Sequence, residues 1–88
     1  MTQPAITVYV TAWCPYCQRA KQLLTQKNLA FTEIDVDGDP RLRQEMTTRS
    51  GRRTVPQIFI GENHVGGCDD LIALDSRGEL DRLIEGAR

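Results

Sequence analysis

The sequence has almost no excess charge of either sign, and this excludes several classes of partner. Eleven Lys and Arg side chains nearly balance twelve Asp and Glu side chains, so the formal net charge is −1 at pH 7. Nucleic-acid-binding domains usually carry a basic excess, and we therefore expect no nucleic-acid partner. No apolar run approaches the ~20 residues that a membrane-spanning helix needs, so we expect no membrane partner either.

Cysteine is scarce, and the cysteines present do not suit a static disulfide framework. The chain has three of them in 88 residues, and an odd number cannot pair completely. The N-terminal segment has no basic stretch followed by an apolar run and a small-residue cleavage site. We therefore expect no secretory signal and a cytoplasmic location. Because reducing compartments keep thiols unpaired, a structural disulfide is disfavoured.

The patterns of apolar residues predict one α/β domain spanning residues 1–88. Predicted strands cover residues 6–10, 30–37, 57–60 and 64–67. Predicted helices begin at Pro15 and Pro40 and end near Asn28 and Ser50, and a last helical segment is interrupted at Gly78. A parallel β-α-β crossover followed by an antiparallel hairpin gives a four-stranded mixed sheet flanked by helices.

Two cysteines are separated by only two residues at the junction of the first predicted strand and helix. Cys14 would lie at the helix N-terminus, where free N–H groups and the helix dipole favour a thiolate. Cys17 would lie one turn further along, on the buried side. The pattern therefore predicts a dithiol exchange site in which Cys14 attacks and Cys17 resolves.

Two other interpretations of the cysteines remain open at this point. Cys14 and Cys17 could join His64 and Cys68 as a zinc site with three thiolates and one imidazole. Zinc knuckles usually hold both ligand pairs in tight loops, whereas one pair here opens an amphipathic helix, so this set is disfavoured. The other interpretation is a purely structural role for both thiols.

Three motifs together resemble the glutaredoxin family. They are CPYC at residues 14–17, TVP at residues 54–56 before a strand, and GGCDD at residues 66–70. Their order and spacing are similar to those of small dithiol bacterial glutaredoxins, and the resemblance covers nearly the whole chain. It implies a thioredoxin fold and a glutathione-dependent disulfide oxidoreductase with protein disulfides or glutathione mixed disulfides as substrates. Glutathione would be a co-substrate, with no tightly bound cofactor and no metal.

The resemblance also implies a glutathione site. In the family, the bond before the residue matching Pro56 is cis, although the motif alone would also suit a trans proline that starts an edge strand. Asp69 would accept the ammonium group of glutathione, cap the next helix, or do both, and either Arg52 or Arg53 would pair with the glycyl carboxylate. The residues expected to contact glutathione are Tyr16, Arg52, Thr54, Val55, Pro56, Gly67, Cys68 and Asp69.

Two residues near Cys14 depart from the family pattern or carry no assigned role. Thr11 stands where many glutaredoxins have a lysine that supports the thiolate, and Lys21 or an arginine near residue 52 could compensate. Trp13 is either a packing residue or a contact for larger substrates.

Two rival functions also remain open. One is a glutaredoxin-like reductase that thioredoxin reductase reduces. The other is a dimer that binds an iron-sulfur cluster through one active-site cysteine and glutathione. The stiff CPYC segment disfavours the cluster, so we expect a monomer.

Overall fold

The computed structural model describes residues 4–86. Its elements in chain order are β1 (Ile6–Val10), α1 (Pro15–Gln26), β2 (Thr32–Asp35), α2 (Pro40–Ser50), β3 (Gln57–Ile60), β4 (Asn63–Gly66), α3 (Cys68–Ser76) and α4 (Glu79–Gly86). This order of elements confirms the predicted α/β class. None of the helices within residues 4–86 has the length and apolar character that a bilayer crossing requires.

The four strands form one mixed sheet in the order β2-β1-β3-β4. β1 is parallel to β2 and antiparallel to β3, and β3 and β4 form the predicted antiparallel hairpin. β2 is shorter at both ends than the predicted 30–37, and at its C-terminal end the Asp35 side chain accepts a hydrogen bond from the Asp37 N–H at 2.8 Å, which turns the chain. β4 begins and ends one residue earlier than predicted, and its last residue, Gly66, has φ +119°.

The helices begin and end at the residues that the capping rules indicate. The Asp39 side chain accepts hydrogen bonds from the N–H groups of Arg41 and Leu42, both at 3.1 Å, and caps α2. Asn28 follows α1 with φ 59°, and Gly78 separates α3 from α4 with φ 73°. Both residues adopt the left-handed conformation that ends a helix, which confirms the predicted conformation of Asn28 and the predicted break at Gly78.

One face of the sheet packs against α1, α3 and α4 and is apolar. Alternate residues of β1 and β3 belong to this face, as the two-residue period of a strand requires. Its buried members are Ile6, Val8, Val10, Cys17, Ala20, Leu24, Ile58, Ile60, Cys68, Leu71, Leu80 and Ile84. Two of the three cysteines therefore lie in the main core.

The other face packs against α2 and contains polar groups. Met46 is buried and Leu42 half-buried against Tyr9, Val36 and Phe59, so the predicted inward side of α2 is confirmed. Tyr9 is fully buried, but its hydroxyl donates to Glu45 at 2.6 Å and accepts from Arg49 at 2.9 Å. Burial raises the pKa of Tyr9, and the Glu45 carboxylate raises it further. This face is therefore held by satisfied polar contacts as well as by apolar burial.

Candidate active site

Cys14 occupies the N-cap position of α1, between the end of β1 and the helix. Its backbone is extended, with φ −129° and ψ 104°, and its Sγ accepts a hydrogen bond from the Cys17 N–H at 3.1 Å. Pro15 follows at the first helical position, where the missing N–H is not needed. Cys14 is half-buried, so its sulfur can be reached from solvent. A sulfur in the capping position receives the N–H groups that stabilise an anion.

Cys17 lies one helical turn away in different surroundings. Its exposed fraction is 0%, and it belongs to the apolar core. The pKa of Cys17 is raised to about 12, chiefly by burial and then by the hydrogen bond with Cys14, while a contact with the Thr11 backbone acts in the opposite direction. Lys21 forms an ion pair with Glu33 at 2.9 Å. The two thiols are thus distinct: one is reachable at a helix N-terminus, and the other is buried and protonated at neutral pH.

The loop before β3 faces Cys14. The Val55–Pro56 peptide bond is cis, as the resemblance implied. The Cys14 Sγ lies 3.9 Å from the Val55 carbonyl oxygen, a contact between residues 41 positions apart in sequence. The structure therefore brings together the first and second motifs of the sequence.

The third motif forms the opposite wall at the start of α3. Gly67 is the N-cap residue, and its N–H donates to the Asp70 carboxylate at 2.9 Å. A Cβ added at Gly66 would collide with the same carboxylate, and the φ of +119° there also favours glycine. Cys68 is buried, and this burial raises the pKa of its thiol, with Asp69 raising it further.

The cap of α3 corrects one sequence-based assignment. Asp69 was a candidate for capping, but the carboxylate that caps the helix belongs to Asp70. An acidic residue three positions after an N-cap is the capping-box position, and this signal was available in the sequence. The Gly67 N–H and the Arg52 guanidinium, at 3.0 Å, hold the pKa of Asp70 below its usual value.

The two candidate arginines lie in different places. Arg52 reaches the site through its ion pair with Asp70. Arg53 lies beside α2, where it lines a separate depression with Pro40, Arg43, Gln44 and Thr47. The geometry therefore favours Arg52 over Arg53 as the cation next to the candidate site.

The three motifs enclose a shallow cavity of about 160 Å³. It is lined by Tyr16, Thr54, Val55, Pro56, Gly67, Cys68, Asp69 and Asp70. Seven of these residues are among the predicted glutathione contacts. Asp70 is the additional one, and Arg52 lies behind it. The structure therefore brings most of the predicted contact residues together around one cavity, with Asp70 as a residue that the sequence did not single out.

A buried hydrogen-bond network behind the cavity was missed. Gln57 is fully buried, and its amide nitrogen donates to the Thr54 carbonyl at 3.0 Å and to the Thr54 hydroxyl at 3.2 Å. Its amide oxygen must then accept from His64 Nε2, at 2.7 Å, so this ring nitrogen carries a hydrogen. The only signal in the sequence was a polar residue at the start of the apolar run QIFI.

The zinc alternative does not form in this structure. Within residues 4–86, no three His, Cys, Asp or Glu side chains come together as a possible metal-binding group. His64 instead binds Gln57 and stacks on Phe59, with the ring centroids 4.9 Å apart.

Comparison with known proteins identifies the family. The glutaredoxin family model matches residues 6–65. A glutaredoxin of Pseudomonas aeruginosa is 59% identical over 81 residues, which cover 92% of this chain and 96% of that protein. The solution structure of a glutaredoxin from Brucella melitensis is 51% identical with a TM-score of 0.87, and the match covers 100% of this chain and 96% of that one.

A third comparison concerns a protein with a bound ligand. The crystal structure of a buckwheat glutaredoxin–glutathione complex is 30% identical, has a TM-score of 0.85, and matches 97% of this chain and 79% of that one. The fold is accordingly the thioredoxin-like fold of these structures. The chain belongs to the glutaredoxin family, whose members are glutathione-dependent thiol-disulfide oxidoreductases.

Proposed function

We propose that Cys14 is the attacking sulfur of a glutathione-dependent reductase that acts on glutathione mixed disulfides and protein disulfides. One observation carries this proposal: the Cys14 Sγ caps α1 and accepts the Cys17 N–H at 3.1 Å, in a residue that is partly exposed. A helix N-terminus favours the thiolate, which is the nucleophilic form of cysteine.

With a glutathione mixed disulfide, Cys14 suffices. Its thiolate attacks the glutathionyl sulfur, and the disulfide bond of the substrate breaks. The substrate sulfur leaves as a thiolate with the electron pair, and Cys14 now carries the glutathionyl group. A second glutathione thiolate attacks that group, which forms oxidised glutathione and restores the Cys14 thiolate.

With a protein disulfide, Cys17 completes the reaction. Cys14 first forms a mixed disulfide with one substrate sulfur, and the other substrate sulfur leaves. Cys17 then attacks the Cys14 sulfur, giving its proton to the departing substrate thiolate and forming the intramolecular disulfide. The raised pKa of Cys17 keeps it protonated until this step, so the two thiols do not compete as nucleophiles.

Glutathione occupies the cavity beside Cys14 in this proposal. The Val55 main chain pairs with the backbone of the tripeptide, as in strand addition. The N–H groups at the start of α3 hold the γ-glutamyl carboxylate, and Asp69 accepts the ammonium group. Arg52, positioned by its ion pair with Asp70, binds the glycyl carboxylate. The remaining contacts of the cavity are Tyr16, Thr54, Pro56, Gly67 and Cys68.

Serine variants of the two cysteines test these roles. Cys14→Ser should lose reduction of both substrate classes. Cys17→Ser should keep reduction of a small glutathione mixed disulfide and lose reduction of a protein disulfide. The measurement is a coupled assay with glutathione and glutathione reductase. Equal turnover of the mixed disulfide by both variants would show that the roles are wrong.

The same assay distinguishes the source of electrons. Activity should be high with glutathione and glutathione reductase and low when thioredoxin reductase replaces them. The support is the cavity beside Cys14, whose helix start and paired arginine suit a small peptide with carboxylate ends. Comparable activity with thioredoxin reductase would favour that enzyme as the physiological reductant.

We also propose that glutathione is a co-substrate, that no cofactor is tightly bound, and that the protein works as a monomer in the cytoplasm. Three cysteines cannot pair completely, which suits a reducing compartment. Cys17 lies beside Cys14 and competes with any metal for its sulfur. Protein purified without oxygen should therefore show no visible absorption band and should elute as a monomer. A visible band from a dimer would instead favour the iron-sulfur alternative.

A further inference from the structure

The largest aromatic side chain of the molecule lies in solvent beside the attacking sulfur. Trp13 precedes Cys14 directly and is 93% exposed, whereas Tyr16, on the other side of Cys14, is 56% exposed. Within residues 4–86, the other exposed large apolar side chain is Ile72, at 36%. Tryptophan is highly buried on average in folded proteins, so this exposure calls for a physical reason.

Local structure leaves Trp13 without a packing partner on its own helix. With Cys14 as N-cap, Trp13 is at the position that commonly packs against the fourth helical residue in a hydrophobic staple. That residue is Gln18, which is polar and exposed. A smaller polar residue at position 13 would therefore stabilise the start of α1 equally well. The packing role considered from the sequence is wrong, and the alternative of a substrate contact remains.

Trp13 also lies outside the cavity proposed for glutathione. Tyr16 lines that cavity, and Trp13 does not. A disulfide that reacts at Cys14 has two halves, and the glutathione half fills the cavity. The attacking, central and leaving sulfurs lie nearly in line in thiol-disulfide exchange, so the leaving half must extend outward past the rim. Trp13 adjoins Cys14 in the chain, lies outside the cavity lining and is 93% exposed, so it offers a large apolar surface to that half.

We infer that Trp13 is a specificity residue that binds the polypeptide half of a glutathionylated protein and prefers an apolar or aromatic residue beside the modified cysteine. This inference rests on the proposed role of Cys14 as the attacking sulfur. Tryptophan suits such a contact because it offers a large rigid surface, and aromatic residues dominate the binding energy of protein interfaces. The chemistry is unchanged: the substrate cysteine leaves as a thiolate, and Cys14 takes the glutathionyl group.

The test compares three glutathione mixed disulfides. The first carries only a small hydroxyethyl group, the second a short peptide with phenylalanine beside its cysteine, and the third the same peptide with serine in that place. We expect the natural protein to favour the phenylalanine peptide over the serine peptide by about three- to tenfold in kcat/KM. Trp13→Ala should abolish that preference and leave the small disulfide within about twofold. Ile72→Ala is the matched control, because it removes another exposed apolar side chain and should keep the preference.

Each result has a distinct meaning. A preference retained in Trp13→Ala, or an equal loss on all three substrates, would overturn the assignment of Trp13. Failure of the natural protein to reduce the small disulfide would overturn the proposed function, and this inference with it.

Fluorescence gives an independent measurement, since Trp13 is the only tryptophan of the chain. In Cys14→Ser, which cannot attack, each glutathionylated peptide can bind without reacting, so its peptide half stays in the position of the leaving half. The phenylalanine peptide should shift the tryptophan emission to shorter wavelength, because it covers the ring, and the serine peptide should not. Identical emission with both peptides would contradict contact with Trp13.

Discussion

The two faces of the sheet are built differently, although each is covered by helices. Among residues 4–86, the buried side chains of the face under α1, α3 and α4 are apolar and include two cysteines. The face under α2 buries Tyr9 and Gln57, both fully inaccessible and both hydrogen-bonded. Arg49 lies over the Phe59 ring at 4.1 Å and donates to the Tyr9 hydroxyl at 2.9 Å on this second face.

This difference separates two tasks of the candidate active site. The apolar face fixes α1 and α3, and with them the buried thiols of Cys17 and Cys68. The polar face reaches the loop before β3, because Gln57 joins Thr54 to His64. One face therefore controls the position and ionisation of the thiols, and the other supports the wall on which glutathione is proposed to bind.

The largest expected effect comes from a cavity in the apolar face. Leu24 of α1 is fully buried among the main core residues. Leu24→Ala should lower the free energy of unfolding by about 2–5 kcal/mol, because it removes buried methyl groups and leaves a cavity. The measurement is urea denaturation. Met46→Ala is the matched variant on the other face and should cost less, near the ~2 kcal/mol lower bound, because its cluster is smaller. A larger loss for Met46→Ala would contradict this ranking.

A smaller but more specific effect is expected from the polar face. Gln57→Leu leaves the Thr54 carbonyl without its donor and His64 Nε2 without its acceptor, so it should cost about 1–3 kcal/mol of stability. Because Thr54 lines the cavity, KM for a glutathione mixed disulfide should also rise while kcat changes little.

The control for this variant is Gln44→Leu in α2. The Gln44 side chain is exposed and donates to the Thr48 hydroxyl of the same helix at 3.1 Å, so its loss should change stability by less than ~0.5 kcal/mol. An unchanged KM in Gln57→Leu would show that the loop before β3 keeps its position without the network.

Local signals explain why most of the fold was predictable. Helix ends depend on residues within a few positions of one another, so the sequence displays them directly. Examples are the N-caps at Cys14 and Asp39 and the left-handed residues at Asn28 and Gly78. The spacing of Cys14 and Cys17 likewise placed one thiol at a helix start and one in the core. The errors at the ends of β2 and β4 come from hydrogen bonds and backbone angles that a pattern of residue types does not specify.

The contacts that were missed join distant parts of the chain. Arg52 and Asp70 are 18 positions apart, and their ion pair depends on how α3 approaches the loop before β3. Gln57 and His64 meet because of the register of the β3–β4 hairpin, which carries an irregularity between Ile58 and Phe59. The exposure of Trp13 was undecided for a related reason: local sequence does not say whether another element covers a side chain.

The smallest expected effect is a pH dependence that belongs to the polar face alone. Burial lowers the pKa of His64, the nearby Arg52 lowers it further, and Asp70 acts in the opposite direction. The unfolded chain therefore binds this proton more readily than the folded protein does. The contribution of neutral His64 to the free energy of unfolding should be fully present above pH ~6.5, the pKa of histidine in the unfolded chain. It should decline as the pH falls below that value toward the lower pKa of the folded protein.

The chain allows a clean measurement, since His64 is its only histidine. Its ring-proton NMR signal should titrate below the value of a free histidine. Unfolding by urea, followed between about pH 7 and pH 5, should show decreasing stability in the natural protein and a flatter profile in His64→Gln, which cannot take up a proton. Carboxylates titrate mostly below this range, and the cysteine thiols of the apolar face titrate above it, because burial raises the pKa of Cys17 and Cys68. If the free energy of unfolding fell equally with pH in both proteins, His64 would not be the cause of the decline. The polar face would then be as insensitive to pH in this range as the apolar face.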